Sequence, residues 1–255
     1  MAFRPPSTNL PPWEDARDEI FVSHQPTAGE FRFDEQVARV FPDMLRRSIP
    51  GYGALLELIG VLASCVVTHE SRVYDLGCSL GAVSLSIRHA LGSRCATILA
   101  VDNSEAMVRR CREFVEADSA TVPVEVHCND VTTFPLEEAS LIVSNFTLQF
   151  VPPDQRLRLL ERARNALGSG GVFVLSEKVR ASEGATPSLH PALHDAFRQA
   201  NGYTQLELSR KRQALEHVLI ADSEAEHEAR LRQAGFEPEV WFRALDFVSW
   251  TARVR

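Results

Sequence analysis

No apolar run in this 255-residue chain is long enough to cross a bilayer: the longest, Leu58 to Val67, falls well short of the roughly 20 residues that a spanning helix needs. No basic start leads into an apolar core near Met1, so neither secretion nor membrane insertion is expected. Paired cysteines are also missing. Cys65, Cys78, Cys95, Cys111 and Cys128 are odd in number and far apart, with no C-x-x-C, which excludes a disulfide framework and thiol metal-site spacing. They read as reduced thiols in a cytoplasmic protein. An excess of base is lacking as well: 27 Lys and Arg face 34 Asp and Glu, a net charge of -7, so no global attraction to nucleic acid and no direct binding to it are expected. What is plentiful is apolar side chain, 45% of residues, enough for a substantial core in one large domain.

Pro5, Pro6, Pro11, Pro12 and Pro26 disfavour regular structure over residues 1–30, which are expected to form a mobile tail without chemistry. From Phe33 the pattern is helical, with Val37, Val40 and Phe41 near one face, and Pro42 is expected to interrupt or restart the helix. Ile49-Pro50-Gly51-Tyr52 reads as a turn and Leu55 to Val67 as a second helix. Beyond residue 70 strands and helices alternate: strands at 72–75, 96–101, 123–127, 140–144 and 171–176, helices at 80–91, 104–117 and 154–167. Such alternation predicts a parallel sheet covered by helices. Gly168 to Gly171 is expected to stop the last of these helices. Residues 180–221 form an additional helical segment, Ser223-Glu224-Ala225-Glu226 has a capping-box pattern, and 236–254 reads as a strand pair.

The chain is organised around Val73-Tyr74-Asp75-Leu76-Gly77-Cys78-Ser79-Leu80-Gly81, an apolar strand running through a glycine turn into a helix. Freed amides at such a turn face a nucleotide-like ligand. Ser79 stands where the middle glycine of G-x-G-x-x-G would admit a pyrophosphate, so a phosphate-free adenosine ligand such as S-adenosylmethionine fits better than a dinucleotide. Asp102 ends the second strand, where an acid accepts hydrogen bonds from ribose hydroxyls. Asp75, Asp102-Asn103, Asp130 and Asn145 all fall at the carboxyl edge of the sheet, where ligands of such folds bind. For an adenosine ligand, Asp130 is placed to accept from the adenine amine, Val131 to offer an amide, and Asn145 to face the sulfonium end.

Two further groups are read blandly. His190 and His194 are four apart with Asp195 adjacent, but no further ligand is evident, so a surface helix is preferred to a metal site and no metal is expected. Arg210-Lys211-Arg212 reads first as a solvated helix face, with capture of a carboxylate as the functional alternative.

From about Phe33 to Phe247 the chain closely resembles the carboxy-S-adenosyl-L-methionine synthases. The resemblance is carried by Phe33-Asp34-Glu35-Gln36-Val37-Ala38-Arg39-Val40-Phe41-Pro42-Asp43-Met44, by Ser48-Ile49-Pro50-Gly51-Tyr52 and by the glycine turn. Asn145-Phe146-Thr147-Leu148-Gln149-Phe150, Leu175-Ser176-Glu177-Lys178 and Ala200-Asn201-Gly202-Tyr203 complete it. It implies an α/β, Rossmann-like class I methyltransferase fold: a mostly parallel seven-stranded sheet with a C-terminal antiparallel hairpin, a helical N-terminal extension and a helical insertion after strand five. It also implies a transferase that turns S-adenosylmethionine and prephenate into carboxy-S-adenosylmethionine, phenylpyruvate and water, acting as a homodimer. The product would pass to a tRNA carboxymethyltransferase for wobble-uridine modification. Carried over residue by residue, the ligand contacts fall on Tyr52, Gly77, Cys78, Ser79, Asp102, Asn103, Asp130, Val131 and Asn145. Arg212 falls on the added carboxylate, and no dedicated protein base is required. In a water-poor pocket such an ion pair is worth about 2 to 5 kcal/mol on truncation. A conventional methyltransferase and a non-catalytic nucleoside-binding adaptor are the alternatives.

Overall fold

A computed structural model describes residues 16–23, 26–181 and 188–254. Seven strands form one sheet: β1 (Ser71–Leu76), β2 (Ala96–Asp102), β3 (Val124–Cys128), β4 (Ala139–Asn145), β5 (Leu167–Lys178), β6 (Phe236–Ala244) and β7 (Phe247–Val254). Their order is β3-β2-β1-β4-β5-β7-β6, all parallel except β7, which runs antiparallel to both β5 and β6. The strand order reverses between β1 and β4, so the crevice at their carboxyl ends is where a ligand is expected.

The apolar runs of the central strands are sorted by the two-residue period of a strand. Val73, Leu141, Val143, Val172 and Val174 pack on one face against α3 (Tyr52–Val66) and α4 (Ala82–Leu91), through Leu55, Ile59 and Ile87. Tyr74, Ile142, Phe173 and Leu175 point to the opposite face. There they meet Leu159 and Leu160 of α6 (Pro153–Ala166), Leu231 of α9 (Glu224–Gln233) and the fully buried Trp250. α9 is capped as its sequence predicts: Ser223 Oγ accepts from the Glu226 amide at 3.3 Å while the Glu226 carboxylate accepts from the Ser223 amide at 2.6 Å. Between β2 and β3, α5 (Glu105–Ala117) starts at Ser104, whose hydroxyl accepts from the Met107 amide at 3.2 Å.

Three expectations are corrected. Pro42 does not interrupt its helix: α2 (Glu35–Ser48) runs through it, started by the Asp34 carboxylate on the Val37 amide at 3.0 Å, and buries Val37, Ala38, Val40 and Met44. Packing of that face offsets the one rung that the proline cannot make. Gly168 to Gly171 lie within β5, because α6 already ends at Ala166. Pro5, Pro6, Pro11 and Pro12 fall outside the described residues, but the segment from Ala16 is not loose. A short helix, α1 (Ile20–Ser23), leads it on, and Asp18 and Phe21 are buried. The Tyr203 hydroxyl donates to Asp18, and Arg47 Nη1 donates to its backbone carbonyl at 3.0 Å. Polar residues and prolines hid this segment because its anchor is one acid matched to buried cations. The extra segment after β5 contributes α7 (His190–Ala200) and α8 (Gln205–Leu215), folded back over the carboxyl edge of the sheet.

Asp75 points from β1 into the helical layer, where its Oδ2 accepts from the Ser84 amide at 3.1 Å and the Ser84 hydroxyl at 2.6 Å. Burial pushes its carboxyl up from 3.8 to about 7, against the pull of those two bonds. Between these values the folded chain holds a proton that the unfolded chain has released. Its contribution to stability is therefore complete at low pH and lost as pH rises through about 7. In Asp75→Asn the amide oxygen can accept both Ser84 bonds without titrating. Thermal denaturation from pH 4 to 8 is expected to show a flatter profile for Asp75→Asn than for the parent, and equal slopes would contradict the assignment.

Candidate nucleoside site and its cationic wall

One cavity of about 1650 Å³ opens at the carboxyl ends of β1, β2, β4 and β5 and is walled by α2, α3, α7 and α8. All ten residues predicted for the site line it: Tyr52, Gly77, Cys78, Ser79, Asp102 and Asn103 on one side, with Asp130, Val131, Asn145 and Arg212 around the rest. Asp75 does not, because its carboxylate is committed to Ser84.

The glycine turn is shaped by close approach. Gly77 has φ of 82°, and a Cβ there would lie 2.1 Å from Thr147 Oγ1 in the loop after β4. Gly81 has φ of 85°, and a Cβ there would lie 2.7 Å from Cys111 Sγ on α5. Between them Ser79 is also left-handed, φ 51°, a conformation that L side chains rarely take. Its amide donates to Asp102 Oδ2 at 2.9 Å, while Asp102 Oδ1 accepts from the Ser104 amide at 2.9 Å. Asp102 thus ties together the loops after β1 and β2 and still borders the cavity. Burial raises its carboxyl above the usual range, opposed by the amides of Ser104, Ser79 and Asn103. Cys78 is buried against Ala100 and Cys111, and the contact with Cys111, with burial, holds its thiol well above its ordinary range. It offers the cavity backbone rather than a reactive sulfur.

Around the rim, Asp130 Oδ1 accepts from the Thr132 amide and hydroxyl, both at 2.7 Å, which fixes the turn that carries Val131. Asn145 Oδ1 is buried and finds no hydrogen-bond partner among the described residues. A buried amide oxygen left unmatched costs about 1 to 3 kcal/mol, a cost that a ligand donor removes. Tyr52 opens α3, its ring 6.4 Å from that of Phe146, and burial pushes its phenol above the ordinary range. The loop after β4 is held from below: the buried Glu177 carboxylate accepts from the amides of Leu148 and Gln149 at 2.8 and 3.1 Å.

The solvated reading of the basic triplet fails for Arg210 and Lys211 and holds for Arg212, which stays exposed. Arg210 Nη1 donates to the carbonyls of Phe21 and Val22 at 2.9 and 2.5 Å. Lys211 is buried, with Nζ 3.0 Å from Ser48 Oγ, 3.2 Å from the Tyr203 hydroxyl and 3.5 Å from Asp18 Oδ2. Burial lowers its ammonium to about 8, against the attraction of Asp18. Both therefore hold the N-terminal segment. Arg212 alone keeps an uncommitted face: its side chain is 61% exposed, its Nε donates to the Leu208 carbonyl at 3.3 Å, and Asp195 lies 3.6 Å from Nη2.

The surface reading of the histidine pair is corrected at His194, whereas the His190 side chain stays 41% exposed. His190 Nδ1 lies 2.8 Å from Asp246 Oδ1, and the buried His194 has Nε2 2.8 Å from the Ser48 carbonyl. Burial, then the cations Arg198 and Lys178, lower His194 to about 4 despite that carbonyl, so it is neutral near pH 7. His194, Arg198 and Lys178 line the cavity although sequence reasoning named none of them as a ligand contact. Lys178 had a usable signal, since it ends β5 at the same sheet edge as Asn145. Arg198 and His194 had none, because only the folding back of α7 brings them there.

Asp102→Ala is expected to weaken S-adenosylmethionine binding by about 1 to 3 kcal/mol, the range for a lost charge-assisted hydrogen bond. Calorimetry with the two proteins checks this, and unchanged affinity would remove Asp102 from the ligand contacts.

Comparison with known proteins agrees with this architecture. A family model described as a methyltransferase domain matches residues 73–171. Among solved structures, an O-methyltransferase family protein from Burkholderia thailandensis superposes with a TM-score of 0.65 at 13% identity, over 92% of this chain and 66% of that one. An S-adenosylmethionine-dependent methyltransferase from Aquifex aeolicus does so with a TM-score of 0.58 at 17% identity, over 88% and 100%. At such identities the likeness concerns the fold alone. Curated relatives are nearer. The carboxy-S-adenosyl-L-methionine synthase of Geobacter sp. strain M21 is 48% identical over 92% of this chain and 97% of its own. That of Marinobacter nauticus is 46% identical over 96% and 98%. With nearly full-length identity to such proteins, an S-adenosylmethionine-binding fold and the site edge described above, the chain belongs to the carboxy-S-adenosyl-L-methionine synthase family of enzymes.

Proposed function

We propose that the protein converts S-adenosylmethionine and prephenate to carboxy-S-adenosylmethionine, phenylpyruvate and water. The observation that supports this best is the meeting, in one cavity, of a nucleoside-binding edge and an arginine free to take a carboxylate. The sulfonium methyl loses a proton, carbon dioxide from the prephenate ring takes its place on carbon, and the departing hydroxide becomes water. In this reading Asp102 accepts from the ribose, and Asp130 and Val131 address the adenine. Asn145 Oδ1 accepts from the amino-acid end, and the backbone of Gly77, Cys78 and Ser79 lies against the methionine portion, beside Tyr52 and Asn103. The enzyme orients two substrates and excludes water, which alone accounts for large rate gains in a bimolecular step. The protein acts as a homodimer and passes its product to a tRNA carboxymethyltransferase without binding nucleic acid itself.

Prephenate labelled in its ring carboxylate is expected to pass the label to the nucleoside product. Unlabelled product, formed equally well from bicarbonate without prephenate, would contradict the transfer.

The exposure of Arg212 lowers the worth expected of its ion pair to about 1 to 3 kcal/mol, below that of a fully buried one. Arg212→Ala should therefore lose roughly tenfold or more of the preference for carboxy-S-adenosylmethionine over S-adenosylmethionine, and Arg212→Lys should recover only part of it. Alanine at 210 or 211 should instead lower thermal stability, since those residues hold the N-terminal segment. Dissociation constants for both ligands across the three alanine variants check the assignment. Selectivity that survives at 212 and collapses at 210 or 211 would overturn it.

A further inference from the structure

The cavity is larger than one nucleoside requires, since pockets of roughly 300–1,000 Å³ suffice for most small ligands, and this one holds about 1650 Å³. Its charge is also opposite to that of the molecule. In a chain of net charge -7, eight Lys and Arg among the described residues line the cavity against four Asp and Glu. Several of these cations are spent: Arg47 and Lys211 on the Asp18 and Asp43 cluster, Arg46 on Asp43, and Arg17 on the Gly202 carbonyl. Lys178 is not. Among the described residues no hydrogen bond or ion pair satisfies its ammonium, although it lies largely inside the fold at the end of β5. Arg198 is buried and gives one arm to Asp195, but its Nε is buried without a partner. Burial, then Arg198 and Arg212, lower the Lys178 ammonium, and Asp246 and Asp195 only partly oppose them. Asp195 is shared between Arg198 and Arg212, and Asp246 also faces His190. Three cations are gathered with too few anions.

An aromatic path joins this cluster to the nucleoside edge. Phe146 lies 6.4 Å from Tyr52 and 5.9 Å from Phe247, and Phe247 lies 5.1 Å from the neutral ring of His194, all between ring centroids. A wall of aromatic faces ending in cations that outnumber their anions fits a small ligand with an unsaturated ring and a carboxylate.

We propose that Lys178 and Arg198, set against Phe247 and His194, form a second carboxylate subsite that holds the carbon dioxide donor by the carboxylate it keeps after reaction. This deepens the reading that the second substrate is prephenate, and rests on it. The retained carboxylate is the one to pair with these cations, because an ion pair made equally to substrate and transition state anchors without slowing the reaction. Pairing the carboxylate that leaves as neutral carbon dioxide would stabilise the ground state alone. Arg212 is then left for the carboxylate formed on the nucleoside.

The test compares parent, Lys178→Met, Lys178→Arg and Arg198→Gln. Lys178→Met and Arg198→Gln should each raise the KM for prephenate tenfold or more while leaving the Kd for S-adenosylmethionine within twofold, and Lys178→Arg should recover most of the loss. Lys178→Met should also melt no lower than the parent, since it removes an unpaired cation from repelling neighbours. A prephenate KM unchanged within twofold in both variants would overturn the subsite and leave the proposed reaction standing. Should the parent form no product from prephenate, that reaction fails, and titration of phenylpyruvate into the protein saturated with S-adenosylmethionine decides the subsite by itself. Binding weakened tenfold in Lys178→Met supports it. No binding to the parent, or equal binding by all the proteins, overturns it.

Discussion

The Asp102 carboxylate, with one oxygen on the Ser79 amide and the other on that of Ser104, is the contact on which the site depends. It holds Ser79 in a left-handed conformation that a side chain resists, and so sets the course of the turn between Gly77 and Gly81. That turn passes so close to Thr147 that only glycine fits at 77, which fixes the loop after β1 against the loop after β4. Ligand binding at the switch point therefore rests on three loops locked to one another, not on a single motif.

A second layer of ionic contacts closes the cavity from outside the sheet. Asp18 meets Lys211 and Tyr203, Arg47 bridges to the carbonyls of Asp18 and Asn201, and Arg156 joins Asp222 to the carbonyls of Val151 and Ile220. Breaking such buried pairs one partner at a time is costly, because the other charge is left unmatched. They fix α7 and α8 over the strand ends, and so decide which cations face the cavity.

Much of this was legible in the sequence where the cause is local. The continuous apolar run Leu141-Ile142-Val143, the glycine turn and the acid ending β2 each mark their element within a few residues. The central fold and the predicted nucleoside edge follow from them, and the resemblance added Tyr52 and Arg212. What was missed has causes that lie far away in the chain. The triplet 210–212 is three basic letters until the segment from Ala16 claims two of them. His194 reads as a surface residue until α7 packs on Phe247 and Ser48. Pro42 reads as a break because the packing that offsets its lost rung belongs to other elements, and Asp75 reads as a ligand contact until Ser84 takes it. Lys178 was within reach of the strand-end rule and shows how far that rule extends.

The central claim is that this fold adds a carboxyl group to S-adenosylmethionine instead of removing its methyl. Mass spectrometry of the small molecules left after the purified protein acts on S-adenosylmethionine and prephenate, with nothing else present, tests it directly. A nucleoside heavier than S-adenosylmethionine by carbon dioxide, formed together with phenylpyruvate, is the predicted result. S-adenosylhomocysteine beside a methylated acceptor, or no turnover at all, would contradict it.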